Sequence, residues 1–172
     1  MSEKNIFLRP LATSDLERTL LWLNDPAIAR RIGVQNPVTQ ASQEAWFADL
    51  ARRRDKHVFA ICLDEGGRHI GNVSLDTIEL QHRTARLSIF IAENNLRGTG
   101  HGSEALRLLL QFAFGDLDLN KVWCKVTDDD ENLFRFYEKL GFQVEGKLRQ
   151  HECIEGQFVD KIILGVLRGA SA

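Results

Sequence analysis

A chain of 172 residues is long enough to bury roughly 70% of the surface its unfolded form exposes, so a single domain over residues 1–172 is expected to close its core without disulfides or metal. Its 22 Lys and Arg against 24 Asp and Glu leave a formal net charge of -2, which speaks against a protein whose main work is gripping nucleic acid or an anionic membrane. Three scattered cysteines (Cys62, Cys124 and Cys153), a polar start and no apolar run of the eighteen or so residues a membrane span needs point to the reducing cytoplasm and to no bound metal.

Asn5 to Arg9 is short and mainly apolar and reads as a strand ended by Pro10. Ser14-x-x-Glu17 offers a capping box for a helix carrying Leu16, Leu20, Leu21 and Leu23. Asp25-Pro26 restarts a short helix near Ala27 to Arg31, and Thr39 caps a third with Ala45, Trp46, Phe47, Ala48 and Leu50 at helical spacing. Val58 to Leu63 and His69 to Leu75 are strand-like, and Asp64-Glu-Gly-Gly67 between them reads as the turn of a hairpin.

Thr84 to Ala92 alternates Ala85, Leu87, Ile89 and Ile91 against Arg86, Ser88 and Phe90, a strand with one core face. Thr99 to Phe114 repeats Leu106, Leu109, Leu110 and Ala113 at helical period, and Val122, Cys124 and Val126 alternate after it, giving a strand, helix, strand crossover. Asp128-Asp-Asp130 favours the start of a helix that buries Leu133, Phe134, Tyr137 and Leu140 and ends at Gly141. Phe142 to Leu148 and Phe158 to Leu167 read as two further strands joined by a loop with Glu155-Gly156-Gln157. The sum is an α/β (α+β) domain: a mixed, mostly antiparallel sheet of about seven strands with about four helices on its two faces.

Two segments carry chemistry. Leu96-Arg-Gly-Thr-Gly-His-Gly102 opens an amphipathic helix directly after a strand. Glycines at alternate positions let the backbone approach a bulky ligand and aim its N–H groups, with the helix dipole behind them, at phosphates. On residue type alone the same glycines also make a plain helix-entry turn. A dinucleotide fingerprint fits worse, because Ser103 stands where its last glycine belongs, and a P-loop fails because no Gly-Lys-Ser or Gly-Lys-Thr follows. The second segment is Asn132-Leu-Phe-Arg-Phe-Tyr-Glu-Lys-Leu-Gly-Phe142.

In this order, Arg97-x-x-Gly-x-Gly102 and Asn132 to Phe142 resemble the two signature segments of the GCN5-related N-acetyltransferases, which use acetyl-coenzyme A. The resemblance runs from Leu8-Arg-Pro-Leu11 through Asn24-Asp-Pro26 to Gly156-Gln-Phe-Val-Asp160 and is nearest to the branch of ribosomal-protein N-terminal and spermidine acetyltransferases. It implies acetyl-coenzyme A as cosubstrate between two splayed central strands, and direct acetyl transfer to a primary amine of a protein N-terminus, polyamine, amino sugar or other small amine. It also implies a cofactor site: the backbone of Ser88, Ile89, Phe90 and Ile91, the turn Leu96, Arg97, Gly98, Thr99, Gly100, His101 and Gly102, and Asn132, Phe134, Tyr137 and Lys139 beyond it.

Such a transfer needs no enzyme nucleophile. An amine with a pKa near 10 requires a base or a lowered pKa, and a thiol with a pKa of about 8.5 is well matched by a tyrosine as proton donor. Tyr137, the only tyrosine, takes the general-acid role by resemblance; by residue type it is equally a core tyrosine with a bonded hydroxyl. Asn132 is likewise either a contact to the cofactor arm or a helix-start residue.

The chain departs from the branch at Ala85-Arg86-Leu87, where relatives often carry a glutamate base. An arginine stays protonated at neutral pH, so Arg86 is either a surface residue or an anchor for an anionic acceptor. Candidate bases elsewhere are Glu79, Asp76 and His82 at the preceding strand end and loop, and His101 within the glycine turn. Two rival readings stand beside the enzyme: an acyl-coenzyme A sensor or partner module without turnover, and an unrelated nucleotide-binding module. Exposed strand edges make a homodimer a further expectation.

Overall fold

Seven strands and five α-helices form over the residues that the computed structural model describes, 5–34, 36–127 and 131–170. The strands are β1 (Ile6–Pro10), β2 (His57–Leu63), β3 (His69–Glu79), β4 (Thr84–Ile91), β5 (Lys121–Thr127), β6 (Gln143–Ile154) and β7 (Gln157–Leu167). The helices are α1 (Leu16–Leu23), α2 (Pro26–Ile32), α3 (Gln40–Leu50), α4 (His101–Gln111) and α5 (Glu131–Glu138). The strands lie in one sheet in the order β1-β2-β3-β4-β5-β7-β6. Every neighbouring pair is antiparallel except β4 with β5, whose parallel pairing requires the crossover that α4 supplies. None of the described helices is long and apolar enough to cross a membrane.

Local chemistry explains where the elements begin. Asp25 accepts hydrogen bonds from the N–H of Ala27 (2.9 Å) and Ile28 (3.1 Å) ahead of Pro26, so α2 starts on its own cap. That brings the described α-helices to five rather than about four. Thr39 and Ser42 cap α3 reciprocally, at 3.0 and 3.1 Å. The capping box expected at Ser14 and Glu17 does not form. Asp15, 5% exposed, instead takes both guanidinium nitrogens of Arg9 (2.6 and 2.7 Å) and the N–H of Ala12 (2.8 Å), and α1 begins after a tight turn over Thr13–Asp15. A buried carboxylate gains more from a guanidinium than from a helix end.

Two other boundaries move. Helix α4 stops at Gln111 and passes into a wider turn over Phe112–Asp116. Strand β6 runs to Ile154 rather than Leu148, because its hairpin with β7 continues past two register shifts to a tight turn in which Glu155 (φ 51°) and Gly156 (φ 80°) are both left-handed. The acidic run 128–130 lies outside the described residues.

Alternation along β2 shows how one sheet carries two cores. Ile61 joins the larger core with Val73, Leu75, Leu106, Leu109, Val122 and Leu164, beneath α4, while its neighbours Ala60 and Cys62 face Leu11, Leu16, Trp46 and Phe47 under α1 and α3. Helices therefore cover both faces.

The feature that positions the site is where β4 and β5 part. They pair only over Thr84–Arg86 and Lys121–Trp123, whereas β4 stays paired with β3 as far as Gly71 and Ile91. A Cβ on Gly71 would run into the carbonyl of Phe90, so the two backbones touch there. Gly71→Ala is expected to cost about 1–3 kcal/mol of stability, read as a lower urea midpoint at unchanged slope.

His69 sits on the same hinge of the fold. Its Nε2 lies 2.7 Å from Asn72 Oδ1 and 2.9 Å from Gly71 O, both acceptors, so Nε2 carries the proton. Burial pushes its pKa down, as it does that of His57. The unfolded chain takes up these protons near the ordinary value of about 6.5 while the fold resists them, so stability is full above that pH and falls below it. The urea midpoint should drop between roughly pH 7 and pH 5, and His69→Gln, which keeps a side-chain N–H donor, should flatten part of that drop.

Candidate active site

After a single tight turn over Asn94–Leu96 the chain enters the glycine segment, where Gly98 (φ 71°) and Gly100 (φ 101°) adopt left-handed conformations that other residues resist. The first helical amide to find a main-chain acceptor is that of Glu104, on Gly100 O at 3.1 Å. Among the described residues, the main-chain N–H groups from Gly98 to Ser103 have no main-chain partner and sit at the positive end of α4. Thr99 braces the loop: its Oγ1 donates to Leu96 O and lies against His101 Nδ1, each at 2.7 Å. Space beside Gly98 is open, while Gly102 packs against the Phe136 ring and Ile91. These amides, with room beside them, fit a diphosphate.

Arg97 braces the turn from behind. Its guanidinium points back, Nε donating to Ile91 O at 2.8 Å and Nη2 to Ala92 O at 3.2 Å. It ties the turn to the end of β4.

Strand β4 offers the next group. Ala92 N–H donates to Ile70 O at 2.9 Å, and the register is unbroken from Gly71↔Ile91 to Asp76↔Arg86. Hydrogen-bonded pairs alternate in such a ladder, so Phe90, Ser88 and Arg86 bond to β3 while Ile89 turns its N–H and C=O away from it, toward the opening beside β5. Sequence reasoning names Ser88 to Ile91 together; the pairing parity leaves Ile89 and Ile91 facing the opening, and Arg97 already occupies Ile91 O.

Tyr137, 5% exposed, lies edge-on to Phe136 and Phe142 with centroids 5.0 and 5.1 Å away, and its hydroxyl is hydrogen-bonded with the Cys124 thiol on β5. The core reading of this residue, a packed ring with a bonded hydroxyl, describes its position beside the strand that walls the opening. Burial pushes the Cys124 thiol up to about 12, against the hydrogen bond from Tyr137. Phe134 packs on the main core, whereas Asn132 and Lys139 are exposed on and just after α5.

On the opposite face of β4 lies a cavity of about 400 Å³ that the sequence gives little sign of. Thr19 and Leu23 of α1, Gln43 and Trp46 of α3, Lys56, Asn72 and Ser74 of β3, and Ser88 and Phe90 of β4 line it. Two of these, Thr19 Oγ1 and Gln43 Nε2, are buried without a hydrogen-bond partner. The available signal is a polar residue on an inward helix stripe: Thr19 follows Leu16 by three positions, and Gln43 precedes Trp46 by three.

The expected bases fall elsewhere. Glu79 is 55% exposed, 4.0 Å from His82, and pairs with Thr84 at the end of β4 far from the opening. Asp76 is bound to Arg86 Nε at 2.7 Å, which also removes Arg86 as a free anchor for an acceptor. His101 belongs to the turn. A β-ladder places each residue by its register: Glu79 lies at the far end of the β3–β4 ladder, whereas Asp76 is one diagonal step from Ser88 and is held there by Arg86.

The acetyltransferase (GNAT) domain family matches residues 5–143. The spermidine N(1)-acetyltransferase of Escherichia coli K12 is 32% identical over 168 residues, covering 94% of this chain and 85% of the relative. The crystal structure of spermidine N-acetyltransferase from Vibrio cholerae with CoA and spermine superposes with a TM-score of 0.89 at 23% identity, covering 96% of this chain and 97% of that one. A dodecameric structure of the Vibrio cholerae enzyme in an intermediate state gives 0.83 at 23% identity, over 95% and 94%.

Removing the strut between turn and strand should be visible directly. Arg97→Ala is expected to weaken coenzyme A binding about tenfold, or roughly 1.4 kcal/mol, by calorimetry, with the thermal midpoint changed little.

Proposed function

The chain belongs to the GNAT acetyltransferase family and is an acetyl-coenzyme A-dependent N-acetyltransferase; from that premise we propose how its residues divide the work. The observation that supports the division is that β4 faces two openings at once: the gap beside β5, and the cavity that Ser88 and Phe90 line from the other side. A cofactor enters by the first and an amine by the second. A sensor without turnover has no use for the second, which favours the enzyme over that rival.

Acetyl-coenzyme A, when bound, supplies the acetyl group as an activated thioester. The amides from Gly98 to Ser103 hold the diphosphate, with Leu96, Arg97, Thr99, Gly100, His101 and Gly102 shaping the turn. Ile89 offers its N–H to the acetyl oxygen, where a fixed donor is worth several kcal/mol. Ile91 and Phe134 pack the wall of the same gap, and Asn132 and Lys139 stand at its exposed side.

Tyr137 delivers its hydroxyl proton to the departing sulfur. Cys124 beside it stays protonated, with its thiol near 12, and is therefore no acyl carrier, so transfer to the amine is direct. Proton removal from the amine passes to water held in the polar cavity rather than to Glu79.

Residues 1–172 act as one catalytic unit in the cytoplasm, on a small amine. Copies of the chain associate through the β6–β7 end of the sheet, where Val144 of the edge strand β6 and Phe158 of β7 are 60% and 68% exposed; the dodecameric Vibrio cholerae relative supports an assembly of this kind.

Thiol release across a panel of primary amines tests the activity. Tyr137→Phe is expected to lower kcat about 100-fold, within the range seen for general-acid loss, while coenzyme A affinity stays within about twofold; equal rates in the two proteins would retire the acid role. Cys124→Ala should retain turnover, and a chain that acetylates through a cysteine would lose it.

A further inference from the structure

The cavity on the acceptor side has a charge and hydrogen-bonding character of its own. Among the described residues lining it there is no carboxylate, and its one ionic group is Lys56. Lys56 Nζ lies 5.6 Å from the centre of the Trp46 ring and makes no ion pair among the described residues. The carboxylates nearest to it are already engaged: Asp76 with Arg86 at 2.7 Å, and Asp55 with Arg53 at 2.7 Å.

The neutral groups add donors. Gln43, 3% exposed, leaves Nε2 without a partner, and Thr19, also 3% exposed, leaves its hydroxyl unpartnered. Because His69 Nε2–H occupies Asn72 Oδ1, the amide nitrogen of Asn72 is the end free to bond elsewhere on a residue that lines the cavity. An ammonium, two amide N–H groups and a hydroxyl together call for oxygen acceptors on the ligand. Around them Trp46 and Phe90, with aliphatic neighbours, give the cavity an apolar body.

We propose that the acceptor is a small amine carrying a carboxylate on an apolar frame, held by Lys56 and Gln43, and not a polyamine. A polyamine brings two or more ammonium charges into a space that already holds one and offers no anion, and like charges at close range in a partly buried site cost several-fold in affinity or more. This inference rests on the catalytic reading above and refines only its acceptor.

The test is calorimetric titration of the full chain saturated with coenzyme A, using L-leucine, L-methionine and L-phenylalanine, the amide of each, and spermidine. At least one of the amino acids is expected to bind ten times more tightly than its own amide and than spermidine. In Lys56→Met that preference over the amide should shrink to within twofold, and in Gln43→Leu, a second variant should the first fail to fold, it should fall by at least threefold. Spermidine as the tightest ligand, no binding by any amino acid, or a preference that survives both substitutions would each overturn the proposal. The catalytic reading fails by a different result, the absence of coenzyme A binding or of thiol release with every amine.

Discussion

Two neighbouring parallel strands that stop pairing after three residues impose the constraint on which this protein turns. In an uninterrupted sheet the main-chain groups of β4 would find partners on both sides. Here the ladder to β5 ends at Arg86 and Trp123, and the polar groups of Ile89 face a gap. A buried donor or acceptor left alone costs about 1–3 kcal/mol, so an opening of this kind persists only where its surroundings hold it and where a ligand or water can satisfy it. Gly71, which lets β3 press against Phe90, and Arg97, which anchors the glycine turn on Ile91 and Ala92, are the two parts of the frame that hold it.

The same strand then separates two chemistries by the alternation of its side chains. Ile89 and Ile91 pack toward the larger core under α4, and Ser88 and Phe90 line the cavity beneath α1 and α3. In the proposed arrangement acyl donor and amine acceptor approach from opposite sides of one backbone, and a single residue step along β4 leads from one side to the other. On the same side, α5 lays Tyr137 on β5 next to Cys124.

Electrostatics on the acceptor side follows from ion pairs already closed within the chain. Asp76 is the acidic residue nearest the cavity along β3, and its pairing with Arg86 withdraws both charges. What is left facing the space is Lys56 and a set of uncharged donors. The similarity to spermidine acetyltransferases in overall fold is therefore compatible with a different acceptor, since a shared fold does not fix the lining of a site.

By itself the sequence determined most of the elements and the glycine turn that opens α4. Alternation at Val122, Cys124 and Val126, the helical repeat from Leu106 to Ala113, the caps at Asp25 and Thr39 and the glycines at 98, 100 and 102 are local signals, each set by the dihedral and burial preferences of a few adjacent residues. The resemblance carried by Arg97 to Gly102 and Asn132 to Phe142 rests on the same contiguous stretches. Tertiary structure alone decided the rest: that Asp15 pairs with Arg9 where the sequence suggests a Ser14–Glu17 capping box, that Arg97 bonds to the carbonyls ending β4, that Arg86 pairs with Asp76, and that Glu79 lies at the far end of the ladder. It also decided that Thr19, Gln43, Lys56, Asn72 and Ser88, drawn from five separate segments, share one cavity. Those outcomes depend on strand register and on which distant residue arrives opposite a given side chain, and no window of neighbouring residues contains that information.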